Sequence, residues 1–217
     1  MLFPFSLFKK QKQPEIKIFR PEKSDVRKEY FEVQIERTLV KSCNLSDKDQ
    51  FVKASRLAKI VEYMDISKVQ KALVIGCRNS VELDLLESAG AARVAAIDLV
   101  SVDPRILVCD MHDIAIADNG EYDFVFCSHA LEHALDYVKV LREIRRVLSA
   151  GGAAFFEVPT RYTPSGADLH DFSNAANLRK IIESVFGGIE VLYAEDLDSE
   201  ASIHGTHTAR ILFSTPE

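Results

Sequence analysis

The chain has 217 residues, of which 47% are hydrophobic, so it is long and apolar enough to bury one sizeable core. A formal net charge of −6 and an isoelectric point of about 5.6 argue against a nucleic-acid-binding protein. No apolar run approaches the roughly 20 residues that a membrane-spanning helix requires, which argues against an integral membrane protein.

The N-terminal stretch differs in charge from the rest of the chain. Residues 1–28 carry a net charge of +5, leaving −11 for the remainder, and three prolines interrupt residues 1–23, which predicts a basic tail. Its positive charges follow the apolar residues and no small-residue cleavage site appears, so it does not resemble a secretory signal. We expect a cytoplasmic protein whose four cysteines, which form no CxxC pair, are buried free thiols. Contact of the N-terminal phenylalanines with a membrane surface is the alternative to a packed or disordered arm.

Two helical patterns come next in the chain. The first begins at Ser24, and the second runs from Ser46 to about Met64. Both begin at a serine that can cap a helix, and apolar residues follow at helical spacing. We therefore predict a basic tail and helix over residues 1–45 and a main domain over residues 46–217.

Seven strand-like apolar runs then follow, most of them separated by helical segments: KALVIG, RVAAID, RILVCD, YDFVFCS, AAFFEVP, IEVLYAED and ARILFS. Continuous apolar strands between helices indicate a mostly parallel sheet that is covered on both faces. The last two runs have no helix between them and predict an antiparallel hairpin at one edge. We predict helices from about Ala130 to Leu148 and from a cap at Ser173 to Phe186, the second stopped by Gly187.

The residues directly after the strands are the candidates for a binding site, because ligands of an open parallel sheet bind beyond the carboxyl ends of its strands. Two carboxylates, Asp98 and Asp110, end consecutive strands. Asp98 follows Gly76 by 22 residues, a spacing at which an acid can hydrogen-bond ribose hydroxyls. Together the two acids predict a nucleoside site. The turn at Gly76 lacks the second and third glycines of the nicotinamide fingerprint, which argues against a nicotinamide enzyme.

Five segments between Lys71 and Phe186 carry a family resemblance: ALVIGCRNS, AAIDL, VCDMHDIAIADNGEYDFVFCSHALEH, VLREIRRVLSAGG and FFEVP. They resemble class I S-adenosylmethionine-dependent methyltransferases of the small-molecule type, similar to methyltransferase type 11. The resemblance implies an α/β fold, a Rossmann-like three-layer sandwich with a seven-stranded, mostly parallel sheet and an antiparallel last strand. It makes residues 46–217 a methyltransferase domain and implies S-adenosyl-L-methionine as cofactor. The Asn/Asp-Pro-Pro-aromatic motif of many nucleic-acid methyltransferases is absent, so we predict a small-molecule methyl acceptor and no nucleic-acid partner.

The resemblance also implies which residues contact the cofactor: Gly76, Cys77 and Arg78 at the methionine part, Asp98 at the ribose, Leu99, Asp110 and Met111 at the adenine, and Ser128 beside the methionine end. The family's loop usually reads Asp-x-Gly-x-Gly-x-Gly, and here Val74, Arg78 and Ser80 replace the acid and the last two glycines. The charge of Arg78 can pair with the cofactor's carboxylate but disfavours a close sulfonium. Ser80 can cap the following helix. The altered loop leaves a non-catalytic methyltransferase-like binding or scaffold protein as the alternative function.

The run HALEH, residues 129–133, supplies candidate catalytic groups. We place it on the first turn of the helix after the fourth strand, so that His129, Glu132 and His133 share one face. As H-x-x-E-H it also matches an inverted zinc-protease helix, but no third ligand is evident at a helical distance. Some quinone-ring O-methyltransferases that this region resembles bind a divalent ion through Glu-x-x-Glu-His. Because His129 replaces the first of those acids, we predict no metal here, and a divalent ion held by His129, Glu132 and His133 is the weaker alternative.

Methyl transfer to a hydroxyl needs a base near neutral pH, and His129 and His133 are the predicted catalytic residues. His129 is the favoured base or substrate contact, and a packing role is the alternative for His133. His112 is a further candidate, either as a base or as part of the adenine pocket. Histidines also lie in the loop after the fifth strand and between the last two strands, at His170, His204 and His207. We expect these loops and the N-terminal helices to form a lid over the substrate. The sequence thus predicts a methyltransferase that acts on a small molecule through a hydroxyl oxygen.

Overall fold

The computed structural model of the protein describes residues 16–22, 25, 27–42, 47–101, 103–202 and 205–217. Its helices are α1 (Lys28–Ser42), α2 (Asp47–Ile60), α3 (Val81–Ser88), α4 (Tyr137–Val147) and α5 (Ala175–Phe186). Its strands are β1 (Lys17–Ile18), β2 (Ala72–Ile75), β3 (Val94–Asp98), β4 (Val100–Ser101), β5 (Ile106–Val108), β6 (Tyr122–Ser128), β7 (Leu148–Pro159), β8 (Glu190–Leu197) and β9 (Thr208–Ser214). Short 3₁₀ turns lie at Ile66–Lys68 and Leu131–His133.

Seven strands form the predicted sheet, in the order β5-β3-β2-β6-β7-β9-β8. The pairings from β5 to β7 are parallel, and β9 lies antiparallel between β7 and β8. The predicted fold class and the antiparallel last hairpin are therefore confirmed. Central strand β2 is buried along its whole length, which explains why its sequence is continuously apolar and does not alternate.

Helices cover both faces of the sheet and divide the core into two layers. On one face, α4 and α5 bury Val140, Leu141, Leu178 and Ile182 against inward-facing side chains of β6, β7 and β9. On the other face, Ile60 at the end of α2 and residues Leu83 and Leu86 of α3 pack against β2, β3 and β7. The carboxyl ends of β2, β3, β5 and β6 are left uncovered by these layers, and the candidate site lies there.

The helix after β6 begins later than predicted. It starts at Tyr137, not near Ala130, because the Asp136 side chain accepts a hydrogen bond from the Lys139 amide at 2.9 Å and caps the helix there. Residues 131–133 form a single 3₁₀ turn, and Ala134 after it is extended. The helix ends at Val147, where β7 begins, so the Gly-Gly segment lies within the strand.

Neighbouring residues replace two of the predicted helix caps. At α5, Asn174 and not Ser173 accepts the hydrogen bond from the Asn177 amide, at 2.8 Å. At α3, Ser80 holds the N-cap position without capping through its side chain, and Asn79 Oδ1 accepts from the Val81 amide at 3.2 Å. The predicted stop at Gly187 is confirmed, since its φ of 82° lies in the left-handed region that ends helices.

The N-terminal region contains a strand that the sequence analysis assigned to a tail. Residues Lys17–Ile18 of β1 pair antiparallel with Val100–Ser101 of β4, which begins two residues after Asp98. Helix α2 ends at Ile60 and not near Met64. The predicted caps Ser24 and Ser46, and Cys43, lie outside the described residues, whereas the other three cysteines are buried free thiols. Among the described helices, none is long and apolar enough to cross a membrane. The division at residues 45 and 46 stays a prediction.

Candidate functional site

A cavity of about 500 Å³ lies at the carboxyl ends of the parallel strands. Side chains from the ends of four strands line its floor, and α1 covers one side. Six of the eight residues predicted to contact a cofactor line this cavity, as do both predicted catalytic histidines: Gly76, Arg78, Asp98, Leu99, Asp110, Met111, His129 and His133. A volume of this size is typical of pockets that enclose small-molecule ligands.

Gly76 turns the chain from β2 into the loop, and no larger residue fits its place. Its φ is 71°, and a Cβ built there would lie 2.5 Å from Ala130 Cβ. Its amide donates to the Ile97 carbonyl at 2.9 Å, which ties the turn to β3. Steric contact and backbone conformation both require glycine at this position.

Arg78 also adopts a left-handed conformation, with a φ of 58° that costs a non-glycine residue about 1–2 kcal/mol. Its amide donates to Asp98 Oδ2 at 2.9 Å, and the Val100 amide donates to Asp98 Oδ1 at 3.3 Å. Burial raises the pKa of Asp98, although these backbone hydrogen bonds oppose the rise. Asp98 therefore connects the loop between β2 and α3 to the end of β3, and it also lines the cavity.

A buried lysine of α2 donates hydrogen bonds to the same loop between β2 and α3. Lys53 Nζ donates to the Cys77 carbonyl at 3.2 Å, to Asn79 Oδ1 at 2.9 Å and to Glu82 Oε2 at 2.5 Å. Both Lys53 and Glu82 are buried. Lys53 was not among the predicted site residues, because its local signal in the sequence is no more than a charge between the apolar positions of α2.

Two predicted cofactor residues, Cys77 and Ser128, are absent from the described cavity lining. The Cys77 side chain is buried in the core layer with α2 and α3, and burial raises the pKa of its thiol well above the usual value. Ser128 Oγ donates to Glu157 Oε1 at 3.3 Å, beneath the cavity. Neither side chain lines the cavity in this arrangement.

Asp110, the second strand-end acid, is held from two sides. His112 contacts Asp110 Oδ1 through both its amide, at 2.9 Å, and Nδ1, at 2.6 Å, and Arg27 Nη1 donates to Oδ2 at 2.8 Å. Burial alone would raise the pKa of Asp110, but the hydrogen bonds from His112 and the charge of Arg27 hold it below its usual value. The second ring nitrogen of His112 accepts from the Asp136 amide at 3.2 Å. His112 is thus a buried structural residue with both nitrogens engaged.

The predicted histidine cluster forms, but not on a helical face. His129 has a left-handed φ of 50°, and Glu132 and His133 follow in the 3₁₀ turn. Glu132 Oε1 lies 3.7 Å from His129 Nδ1 and 3.6 Å from His133 Nε2. Glu132 is 1% exposed, and within the described structure its Oε2 atom has no hydrogen-bond partner. The carboxylate therefore lies between the two histidines at the cavity wall.

Glu157 anchors this cluster from β7. It is buried and pairs with Arg56 of α2 and, at 2.5 Å, with Arg210 of β9. His129 Nε2 lies 3.0 Å from Glu157 Oε1. Burial opposes ionisation of Glu157, but the charges of Arg56, His129 and Arg210 hold its pKa well below the usual range. Burial likewise lowers the pKa of His129, but Glu132 and Glu157 outweigh it and raise that pKa overall.

Asp168, in the loop after β7, completes the cluster. It pairs with Arg37 of α1 at 2.6 Å, and His133 Nδ1 lies 3.1 Å from its Oδ1 and 3.0 Å from the Ala167 carbonyl. These contacts with His133 and Arg37 lower the pKa of Asp168 despite its partial burial. Glu132, His133 and Asp168 place potential metal ligands within 4.8 Å of one another. Arg37 already supplies a cation to Asp168, so the absence of a metal remains our prediction.

Helix α1 and two loops cover the cavity, as the lid prediction expected. The described lining includes Tyr30, Gln34, Arg37, Thr38 and Val40 of α1, Asp168 after β7 and Thr206 before β9. Gln34 Nε2 donates to the His133 and Ala167 carbonyls at 3.3 and 3.0 Å. Neither His170 nor His207 is among the residues that line the cavity. His170 packs against Tyr137 and contacts the Ala134 carbonyl, and His207 lies near Asp198. His204 lies outside the described residues.

Comparison with known proteins agrees with this geometry. The family model described as "Methyltransferase domain" matches residues 73–156, from β2 into β7. Over this part, which is less than half of the chain, the protein resembles a methyltransferase domain.

Two curated relatives and one solved structure resemble this chain. The ribosomal RNA-processing protein 8 of Arabidopsis thaliana is 33% identical over 38% of this chain and 29% of its own length. The ubiquinone biosynthesis O-methyltransferase of Thiobacillus denitrificans is 30% identical over 44% of this chain and 47% of its own. The chain thus spans less than half the length of either. The Burkholderia thailandensis 1,6-didemethyltoxoflavin-N1-methyltransferase, with S-adenosylhomocysteine bound, has a TM-score of 0.67 at 17% identity, covering 95% of this chain and 97% of its own.

Proposed function

We propose that this protein is a cytoplasmic methyltransferase that transfers a methyl group from S-adenosylmethionine to a hydroxyl oxygen of a small molecule. One observation carries the proposal: a single cavity has two chemically different ends. The carboxylates of Asp98 and Asp110 lie at one end, and a buried carboxylate between two histidines lies at the other. The first end suits a nucleoside, and the second suits a group that must lose a proton.

The residues at the first end fit the cofactor by their chemistry. Asp98 and Asp110 offer carboxylate oxygens to hydroxyl and amino groups, and Leu99 and Met111 offer apolar surface to a flat ring. Arg78 offers a cation to a carboxylate. When bound, S-adenosylmethionine supplies a methyl group already activated by a sulfonium. The protein's own tasks are then to hold the acceptor in line, to exclude water and to accept one proton.

His133 is the better placed of the two histidines to accept that proton. Its Nδ1 lies 3.0 Å from the Ala167 carbonyl and 3.1 Å from Asp168 Oδ1, two acceptors, so we assign the ring hydrogen to Nδ1. In the neutral ring Nε2 is then unprotonated, and it can take the hydroxyl hydrogen as the oxygen gains the methyl group. The raised pKa of His129, between two carboxylates, favours its protonated form, so we assign His129 to orient Glu132 and the acceptor.

A small acceptor is supported by the cover over the cavity. Helix α1 is tied across the site by Arg27 to Asp110, by Gln34 to two carbonyls and by Arg37 to Asp168. We infer that these contacts narrow the entrance to the cavity and so favour a small acceptor. The acidic net charge of −6 also disfavours a polyanionic acceptor such as RNA.

Calorimetric titration with S-adenosylmethionine and S-adenosylhomocysteine tests the cofactor assignment. We expect micromolar binding of both by the wild-type protein and a loss of about tenfold or more in D98A. D98A binding as tightly as wild type would contradict our placement of the site. Failure of the wild-type protein to bind either ligand at millimolar concentration would favour the non-catalytic scaffold.

The acceptor class is tested with labelled S-adenosylmethionine and matched panels of phenols, alcohols and amines. Label should enter hydroxyl compounds, and His133→Gln should abolish the transfer while S-adenosylhomocysteine still binds. Label entering amines alone would overturn the oxygen acceptor but not the methyltransferase.

A further inference from the structure

Gln34 of α1 has a fixed orientation at the end of the cavity that carries the two histidines. Its side chain lines the cavity, and the residue is 5% exposed. Nε2 lies 3.0 Å from the Ala167 carbonyl and 3.3 Å from the His133 carbonyl, and because carbonyls can only accept, these contacts identify the amide nitrogen. The amide oxygen Oε1 is then turned away from both carbonyls. Among the residues that the structure describes, none donates a hydrogen bond to Oε1.

Glu132 has a second oxygen without a donor at the same end. Its Oε1 lies between the two histidines, whereas Oε2 has no hydrogen-bond partner in the described part of the chain. Burial would raise the pKa of Glu132, but its interactions with His133 and His129 hold that pKa below the usual value, so the ionised carboxylate can only accept. A buried oxygen without a donor is unfavourable and favours a ligand that supplies one.

Three donor atoms near these oxygens are directed at the protein. Arg37 Nη1 donates to Asp168 Oδ1 at 2.6 Å, and His133 Nδ1 lies 3.0 Å from the Ala167 carbonyl. Gln34 Nε2 is the third, held by the two carbonyls. A ligand at this end therefore meets acceptor oxygens that the surrounding donors leave unsatisfied.

The excess at this end is one of acceptor atoms and not of negative charge. Arg37 balances the charge of Asp168. Burial lowers the pKa of His129, but Glu132 and Glu157 outweigh it, so a protonated His129 balances the Glu132 carboxylate. A neutral O–H or N–H group therefore fits this end better than an ammonium group.

We propose that the methyl acceptor carries a second, neutral hydrogen-bond donor next to the hydroxyl that is methylated, and that Gln34 and Glu132 select it. Because Glu132 Oε1 lies 3.6 Å from His133 Nε2, a donor bound to this carboxylate must be close to the reacting hydroxyl. That hydroxyl bonds to the methyl carbon as the carbon–sulfur bond breaks, and its proton passes to Nε2, whereas the second donor keeps its proton. The inference rests on the proposed function and narrows its acceptor class.

The test uses calorimetry to compare three phenols of similar size, each titrated into protein that is saturated with S-adenosylhomocysteine. 2-Aminophenol carries an adjacent donor that is uncharged at neutral pH, 2-methylphenol carries none, and 2-methoxyphenol carries only an acceptor. Wild-type protein should bind 2-aminophenol about tenfold more tightly than 2-methylphenol, and 2-methoxyphenol least tightly. Equal binding of 2-aminophenol and 2-methylphenol would overturn the inference and leave the proposed function standing.

Two variants assign the preference to the proposed residues. Glu132→Gln replaces an acceptor oxygen by a donor nitrogen at nearly constant shape, so it should narrow or reverse the preference for 2-aminophenol over 2-methoxyphenol. Gln34→Met should reduce the ratio of affinities for 2-aminophenol and 2-methylphenol, whereas a merely loosened α1 would weaken all three phenols alike. Glu32→Gln is the matched control, because Glu32 is exposed on α1 and pairs with Lys28, and it should keep the wild-type ratio.

The outcomes separate this inference from the proposed function. Wild-type ratios in both Glu132→Gln and Gln34→Met would overturn the inference alone. If Glu132→Gln does not fold, as thermal unfolding would show, the ratio in Gln34→Met decides. Wild-type protein that binds neither S-adenosylhomocysteine nor any phenol would contradict the proposed function, and this inference would fail with it.

Discussion

Lys53 Nζ on α2 lies 2.5 Å from Glu82 Oε2 on α3, and the two side chains are 3% and 7% exposed. The same ammonium reaches the Cys77 carbonyl and Asn79 Oδ1, so one buried charge connects two helices and the loop between β2 and α3. The shape of this end of the cavity therefore depends on a residue that does not itself line it.

Replacing Lys53 by methionine should destabilise the protein by about 3–5 kcal/mol, because Glu82 would remain as an uncompensated buried charge. Urea unfolding measures the loss. The double variant K53M/E82L should recover much of it, though not all, since Cys77 and Asn79 lose a donor. Lys59→Met on the same helix is the control, because Lys59 pairs with Glu62 at the surface and should matter far less. Equal effects of K53M and K59M would contradict a structural role for the buried pair.

The substitution Gly76→Ala should destabilise the protein more than a glycine-to-alanine substitution at a site with a similar positive φ but free space for the methyl group. Gly166 has a φ of 60°, and no atom lies within 4 Å of the place that a Cβ would take. The variant G166A should therefore lose only the stability that an alanine forfeits by adopting a positive φ, about 1–2 kcal/mol. At Gly76 the methyl group would also meet Ala130 Cβ, adding about 1–3 kcal/mol. The double variant G76A/A130G should regain that second part in urea unfolding. No coupling between the two sites would argue against this contact.

The contribution of His129 to stability should fall as the pH rises. Its pKa is raised in the folded protein by Glu132 and Glu157, above an unfolded value of about 6.5. The folded state then binds the extra proton, so this contribution is complete below about pH 6.5 and is lost as the pH passes the folded pKa. Asparagine tolerates the left-handed φ at this position. The difference in unfolding free energy between wild type and His129→Asn should be larger at pH 6 than at pH 9; a difference that grows with pH would show the sign to be wrong.

Arg27→Met should loosen α1 without unfolding the domain. The ion pair from Arg27 to Asp110 spans 2.8 Å and is a direct tie from the start of α1 to the floor of the cavity. Hydrogen exchange followed by mass spectrometry should show faster exchange over residues 28–42 and little change in β2 or β6. Lys28→Met is the control, because its pair with Glu32 is exposed on the helix surface. Similar exchange in both variants would mean that other contacts hold α1.

Much of the fold could be predicted because its signals are local. The strands of the sheet read as apolar runs bounded by turn residues, and β6 begins and ends at the predicted residues, Tyr122 and Ser128. Because parallel strands place their carboxyl ends at the same edge of a sheet, the sequence alone indicated that Asp98 and Asp110 lie near each other at the cavity. Strand β1 was missed because two residues carry too little pattern to be read.

The remainder of the site depends on contacts between distant residues, which no local pattern encodes. Arg56 and Arg210 meet Glu157 from positions 101 and 53 residues away. The histidine cluster was predicted, but from the wrong geometry, since a left-handed residue and a 3₁₀ turn replace the expected helix. A usable signal did exist: Glu157 is a charge inside the otherwise apolar run FFEVP, and such a residue requires buried partners.

The charged and titratable groups that meet at Glu157 should vary together in evolution and resist change one at a time. Arg56, His129 and Arg210 come from three different elements, and each balances the same carboxylate. A scan of all single substitutions should find these positions intolerant, because each change leaves a buried charge unbalanced. Pairs or triplets of substitutions should succeed where singles fail, so effects at these sites will be non-additive. Homologous sequences that lack an acid at position 157 should therefore lack both arginines as well.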